Sequence, residues 1–98
     1  MKVKGVKCPC CKEIIYSRTR HDFKHCSCGK IFIDGGRDYI RYGSTKDIIN
    51  DIEIYEIELD ATEIDLINDW NYYKKKYGCI KPYKQRLIKD KIKKINEI

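Results

Sequence analysis

Cys8-Pro9-Cys10-Cys11 and Cys26-Ser27-Cys28-Gly29, two close-set thiol pairs with 14 residues between them, decide how the N-terminal third of this chain folds. A thiolate is a soft, charged ligand, and two such pairs, each on a tight turn, make the four corners of a tetrahedral Zn²⁺ site. Cys8-x2-Cys11 has the spacing of a knuckle in which backbone amides donate to sulfur. Cys26-x-Cys28 is one residue shorter, and Gly29 after it supplies a position free to take positive φ. Spacing gives the set Cys8, Cys11, Cys26 and Cys28, with Cys10 as an alternate for Cys8 or Cys11 and His25 as an alternate in a mixed site. No open coordination position for water is evident, so one structural zinc per chain is expected. Cys79 stands alone, and a buried apolar thiol is expected there. The start, Met1-Lys2-Val3-Lys4-Gly5-Val6-Lys7, is basic without an apolar core, so no secretory signal and a cytoplasmic setting are expected. A disulfide framework is then the weaker reading of the cysteines.

Strand-like runs flank the knuckles at Lys2–Lys7, Glu13–Ser17, Lys30–Asp34 and Arg37–Tyr42, with Asp34-Gly35-Gly36 as a hairpin turn. A phosphate-cradling loop would need a helix after those glycines, and the β-rich Asp38-Tyr39-Ile40-Arg41-Tyr42 follows instead. From Asp51 the chain alternates: Ile52 and Ile54, a bulge near Tyr55–Glu56, then Ile57 and Leu59. Asp51, Glu53, Glu56, Glu58 and Asp60 would line the opposite face, roughly 6.7 Å apart at alternate positions.

Thr62 or Asp60 caps a helix beginning near Glu63, with Ile64, Ile67, Trp70, Tyr73 and Tyr77 as its apolar stripe, Lys74-Lys75-Lys76 in its last turn and Gly78 as its stop. Pro82 opens a second helix, with Tyr83, Leu87, Ile88, Ile92 and Ile95 on one face and lysines on the other; Ile88, Ile92 and Ile95 should pack on the helix that carries Trp70. The expected architecture is α+β: one domain over 1–98. It comprises a small zinc-ribbon-like antiparallel β-part (1–46), an acidic strand segment (47–61) and a two-helix part (62–98).

The chain has 98 residues and a net charge of +6, with 42% hydrophobic and 37% charged residues, which suits one small folded domain and excludes a large multidomain enzyme. No apolar run approaches the ~20 residues of a membrane span. The charge is segregated: +7 over residues 1–46, −9 over 47–70, where there is no Lys or Arg, and +8 over 71–98. Either the blocks neutralise one another on folding, or the acidic stretch confines any nucleic-acid surface to the flanks. Ile occurs 17 times, Lys 16 times and Ala once, an AT-rich codon signature that suits a low-GC bacterium or its phage.

The stretch Cys8–Gly43 resembles a group of short bacteriophage and prophage proteins with a zinc-ribbon-like beginning. The resemblance is carried by Cys8-x2-Cys11, Ser17-Arg18-Thr19-Arg20-His21-Asp22-Phe23, Cys26-x-Cys28-Gly29 and Asp34-Gly35-Gly36-Arg37-Asp38-Tyr39. Lys12 stands where a knuckle commonly has Gly. The resemblance implies zinc binding and a phage setting, hence the cytoplasm of a host cell. Some small phage proteins of this size, including zinc-containing ones, are inhibitors of host CRISPR nucleases.

No enzyme signature is present: His21-Asp22 lacks further ligands, and no activated nucleophile or carboxylate pair appears. Two readings remain. In the first, the protein is an anti-CRISPR-type inhibitor whose acidic row (Glu53, Glu56, Glu58, Asp60) docks on a basic groove of a CRISPR effector nuclease, blocking nucleic-acid loading. In the second it is a nucleic-acid-binding ribbon using Lys2, Lys4, Arg18, Arg20, Arg37 and Arg41 or the basic last helix, with Tyr39, Tyr42 and Arg41 stacking on bases beside Arg37.

Overall fold

The computed structural model describes residues 1–20, 22–35, 40–45 and 47–95, and no helix among them is long and apolar enough to cross a membrane. The elements run β1 (Lys2–Lys7), β2 (Ile14–Ile15), β3 (Lys24–His25), β4 (Ile31–Gly35), β5 (Ile40–Ser44), β6 (Glu53–Glu58), α1 (Glu63–Asn71), β7 (Cys79–Ile80), α2 (Pro82–Leu87) and β8 (Ile92–Ile95). Two antiparallel sheets result: one of five strands in the order β7-β2-β1-β6-β8, and one of three in the order β3-β4-β5. The architecture is α+β, as the sequence pattern implied. The expected segments 1–46, 47–61 and 62–98 all contribute strands to the larger sheet.

That sheet is covered on both faces. Successive side chains on a strand point to opposite sides, so Val3 and Val6 on β1 face opposite ways, as do Ile14 and Ile15 on β2. Val6, Ile15 and Ile54 pack with Cys8, Cys26, Ile31 and Ile33, joining the central sheet to the three-stranded one. Val3, Ile14 and Ile57 pack on the other side with Tyr16, Leu66 and Ile80. Gly5 allows a close approach within the sheet: a Cβ there would lie 2.8 Å from the Ile15 carbonyl oxygen.

This two-sided burial corrects the bulge expected near Tyr55–Glu56. The β1–β6 register runs unbroken from Lys2↔Glu58 to Lys7↔Glu53. Ile54 and Ile57 are three apart because each belongs to a different core. The same holds for Ile92 and Ile95, which the sequence placed on a helix. α2 ends at Leu87, a 3-10 turn spans Lys89–Lys91, and β8 pairs with β6 as Ile57↔Ile92 and Ile54↔Ile95. Tyr83 and Leu87, expected inside, are 65% and 77% exposed. Lys93 and Lys94 fall between the two isoleucines on this edge strand, where charge discourages pairing with another chain. Ile92 is half-buried against the second core, so Ile92→Ala should cost about 2 kcal/mol, at the low end for such truncations, read as a lower urea midpoint.

α1 begins with a full capping box. The Thr62 hydroxyl accepts from the Asp65 amide at 3.2 Å, and the Asp65 carboxylate accepts from the Thr62 amide at 2.9 Å. The helix buries Leu66 and Asp69, while Ile64 is 68% and Tyr73 83% exposed, so the expected stripe is not the packed face. It also stops six residues before Tyr77. Tyr73 and Lys75 take left-handed φ of 55° and 57°, and the Asp69 carboxylate accepts the amides of Lys76 and Tyr77 at 2.8 and 3.2 Å. Those amides find a carboxylate instead of helical carbonyls, and Lys74–Lys76 lie outside the last turn.

Candidate metal centre

The two knuckles meet at the junction of the sheets. The first follows β1: the Cys8 amide donates to the Glu13 carbonyl at 2.9 Å and the Lys12 amide donates back to the Cys8 carbonyl at 3.0 Å. Lys12 holds φ at 66°, the left-handed turn residue that a glycine usually supplies. The amides of Cys10 and Cys11 point at the Cys8 sulfur from 3.4 and 3.5 Å. The second knuckle precedes β4, closed by Gly29 N–H to the Cys26 carbonyl at 3.0 Å. Gly29 has φ of 75° and open space where a Cβ would go, so its conformation is what demands glycine.

The sulfurs of Cys8, Cys11, Cys26 and Cys28 all lie within 4.8 Å of one another, with Cys8–Cys28 at 3.6 Å and Cys26–Cys28 at 3.4 Å. Ligand bonds of ~2.3 Å at tetrahedral angles would separate sulfurs by about 3.8 Å. The four cysteines therefore fit a structural metal site. Burial pushes the Cys8 thiol up and the Cys11 thiol up to about 12. Burial acts on Cys28 as well, but hydrogen bonds from the Lys30 backbone and the neighbouring thiols bring it down to about 7, so a cation is needed to hold Cys8 and Cys11 as thiolates. Cys10 is exposed and contributes only its amide. His25 lies against Phe23 and Phe32 instead. Cys79, expected to be buried, is exposed on β7.

One residue of this centre carried no signal in the sequence. Glu13, 4% exposed, accepts the Ser27 amide at 2.8 Å and the Ser27 hydroxyl at 2.6 Å, and takes the Lys81 ammonium on the same carboxylate. Burial alone would raise its pKa, but Lys81 and Ser27 hold it down at about 2. Ser27 sits between the two ligands of the second knuckle, so Glu13 ties that knuckle to the first and, through Lys81, to the start of α2. Such outer contacts orient ligands.

The other expected site residues are dispersed. β6 lies inside the sheet, and by alternation Glu53 faces the opposite side from Glu56 and Glu58, so the acids form no single row. Glu53 pairs with Lys94 at 2.8 Å, Glu56 with Lys2 at 3.5 Å and Glu58 with the Met1 amine at 3.2 Å. The basic flanks thus neutralise much of the acidic strand, while Asp60 is exposed. Arg18 is turned inward and held by Asp22 and Asp69, at 2.8 Å each. Arg41 is exposed and 3.3 Å from Asp34, and Arg20 is exposed. Arg37 and His21 lie outside the described residues.

A cationic groove draws on two cations of the basic last helix that the sequence offered, Arg86 and Lys89, and adds Lys7 and Lys12 from either side of the first knuckle. A cavity of about 560 Å³ is lined by Lys7, Lys12, Pro82, Gln85, Arg86, Lys89 and Ile92, and all four charged residues among them are cations. The buried Gln85 amide fixes this arrangement, donating to the Lys12 carbonyl at 2.7 Å and the Ile80 carbonyl at 3.0 Å. Lys12, Arg86 and Lys89 are exposed, and none has a carboxylate partner among the described residues.

Neither the curated proteins nor the solved structures contain a match to this chain. Residues 1–44, which hold both knuckles and end with β5, match a family model described as a domain of unknown function (DUF7695).

Proposed function

We propose that the protein is a zinc-stabilised, non-catalytic module that binds nucleic acid through the groove between the first knuckle and α2. The observation that carries this reading is the groove's charge: Lys7, Lys12, Arg86 and Lys89 converge on one concavity with no acid in its lining. Phosphates supply the anions that such a surface lacks, and displaced counterions drive the association. The all-thiolate, tetrahedral donor set suits Zn²⁺, with no ligand position left for catalysis. The zinc fixes Lys12 one residue after a ligand, so metal and groove are linked.

The test is fluorescence anisotropy with labelled oligonucleotides over a salt series. Affinity should fall steeply with salt. Reversing Lys12, Arg86 and Lys89 to Glu should weaken binding for every sequence and reduce the salt slope by about one for each cation that no longer meets a phosphate. Binding unchanged by the triple reversal would refute the groove.

A second reading is supported by the nine acids and no Lys or Arg of residues 47–70, of which Asp47, Asp51, Glu58, Asp60, Glu63 and Asp65 are exposed. In it the protein inhibits a CRISPR effector nuclease of its host by occupying a basic surface. It requires a complex with the purified nuclease in the absence of nucleic acid, lost when Glu56, Glu58 and Asp60 are reversed to Lys. Ion pairs within the chain engage Glu53, Glu56 and Glu58, whereas Lys12, Arg86 and Lys89 of the groove have no carboxylate partner among the described residues.

A further inference from the structure

Three aromatic rings lie together on the outward face of the three-stranded sheet. Phe23 and Phe32 stack with centroids 5.4 Å apart and planes 29° from parallel. His25 meets Phe23 edge-on at 5.1 Å and leans on Phe32 at 5.9 Å. Register puts them there: His25 pairs with Phe32, and Phe32 with Gly43, while Ile31 and Ile33 on the same strand are fully buried on the inner side. Phe23 precedes His25 by two and shares its side. The Phe32 ring lies over Gly43, whose absent side chain leaves room for it; a Cβ there would come within 2.6 Å of the ring. Despite two ring neighbours, Phe23 remains 53% exposed. Arg41, paired across the strands with Asp34, is exposed on the same face.

We infer that this face is a stacking platform for the unpaired bases of single-stranded nucleic acid, with Phe23 as its outermost ring. The inference rests on the nucleic-acid reading above and narrows it to one class of substrate. A duplex keeps its base faces inside its own stack, whereas a single strand presents them, and stacking tolerates any base because each has a π-face. Arg41 supplies a cation on this face, ion-paired to Asp34 at 3.3 Å, and its exposed guanidinium can stack on a second base. The tyrosines that the sequence offered for stacking do not form this surface. Tyr42 packs inward on the first core, and Tyr39 lies outside the described residues.

The experiment is an anisotropy titration of the full-length zinc-loaded chain against a labelled 12-nucleotide oligothymidylate and a 12-base-pair duplex. Wild type should bind the single strand more tightly. Phe23→Ala should weaken that binding roughly 5–150-fold, the range for loss of one stacked base, with duplex binding unchanged. Phe23→Leu, which keeps apolar bulk without a ring, should lose affinity as Ala does, and Phe23→Trp should restore it, separating stacking from folding. Equal binding of both nucleic acids, or a Phe23→Ala variant that binds like wild type, overturns the platform. If the Lys12, Arg86 and Lys89 reversals still weaken binding in that case, the groove reading survives alone. If wild type binds neither nucleic acid at low salt, both readings fail, and a protein is the occupant left for these rings.

Discussion

Stripping the metal with a strong chelator should unfold the N-terminal part of the chain and, through the shared sheet, the rest. Purified protein should contain one zinc per chain and be colourless; iron in the same four-thiolate cage would absorb in the visible. Structural zinc contributes roughly 10–16 kcal/mol to small peptides at neutral pH, which equals or exceeds the ~5–15 kcal/mol that separates a typical folded domain from its unfolded chain. The fold shows why nothing else substitutes. Cys8 and Cys26 belong to the core cluster that joins the two sheets, beside Val6, Ile31 and Ile33, so an ion held by them would be part of the packing between the sheets. The smaller sheet is also attached by the apolar packing of Ile31 and Ile33 on Val6, Ile15 and Ile54, while β3 itself has two residues. Cys26→Ser should reproduce chelation. Cys10→Ser should leave metal content and melting unchanged, because Cys10 is exposed and supplies only a backbone amide. A chain without stoichiometric metal that melts like wild type would refute the site, whatever becomes of the functional reading.

Short-range signals in the sequence were legible and long-range ones were not. The knuckles, the Thr62 cap and Pro82 at the first turn of α2 depend on residues within a few positions of one another, and the structure has each. The first strand and the acidic strand were also visible, through alternation. The chain's third contribution to the central sheet was not, for a reason it shares with the imagined bulge. A sheet exposed on one face writes apolar residues two apart. This sheet is buried on both faces along different stretches, and it writes them three apart: Val3 and Val6, Ile54 and Ile57, Ile92 and Ile95. Three apart is also a helical spacing, and in Ile92-Lys93-Lys94-Ile95 nothing local separates the two. The charges misled in a similar way. Glu13, Arg18 and Asp69 look like solvated surface in the sequence, and each is buried by partners that arrive from distant positions, such as Lys81 for Glu13, 68 residues on. The expected acidic row dissolved because, without a bulge, alternation puts Glu53 on the opposite face from Glu56 and Glu58, and Lys94 and the chain's own amino terminus then reach two of its members.

Replacing Arg18 by Met should destabilise the protein by about 3–5 kcal/mol, the cost of leaving buried charge without its partner. Arg18 is 11% exposed in its side chain and lies between Asp22 at 4% and Asp69 at 2%. Its Nε and Nη2 grip the two Asp22 oxygens at 2.8 and 3.2 Å, and Nη1 reaches Asp69 at 2.8 Å, 51 residues away. One guanidinium thereby fastens the loop after β2 to the end of α1. Methionine fills similar space but leaves two buried carboxylates without the guanidinium: Asp69 keeps the amides of Lys76 and Tyr77, and Asp22 keeps the backbone amide of residue 18 and Lys24 at 4.0 Å. The pH dependence supplies a signature that simple loss of packing would not. Burial alone would raise both carboxyls, but the Arg18 hydrogen bonds hold Asp22 and Asp69 below the usual carboxylate range. Their contribution to wild-type stability is therefore complete above the unfolded value near 3.8 and is lost as pH falls through the lower folded values. In Arg18→Met the same burial acts against only Lys24 and the residue-18 amide, so the Asp22 carboxyl rises relative to wild type and protonation relieves the variant. The stability gap between wild type and Arg18→Met should consequently shrink as pH falls from 7 toward 4. Acid-driven loss of metal affects both proteins and cancels in the difference. A gap that stays constant across that range would mean the residue acts through packing alone, and the buried ion-pair account would be wrong.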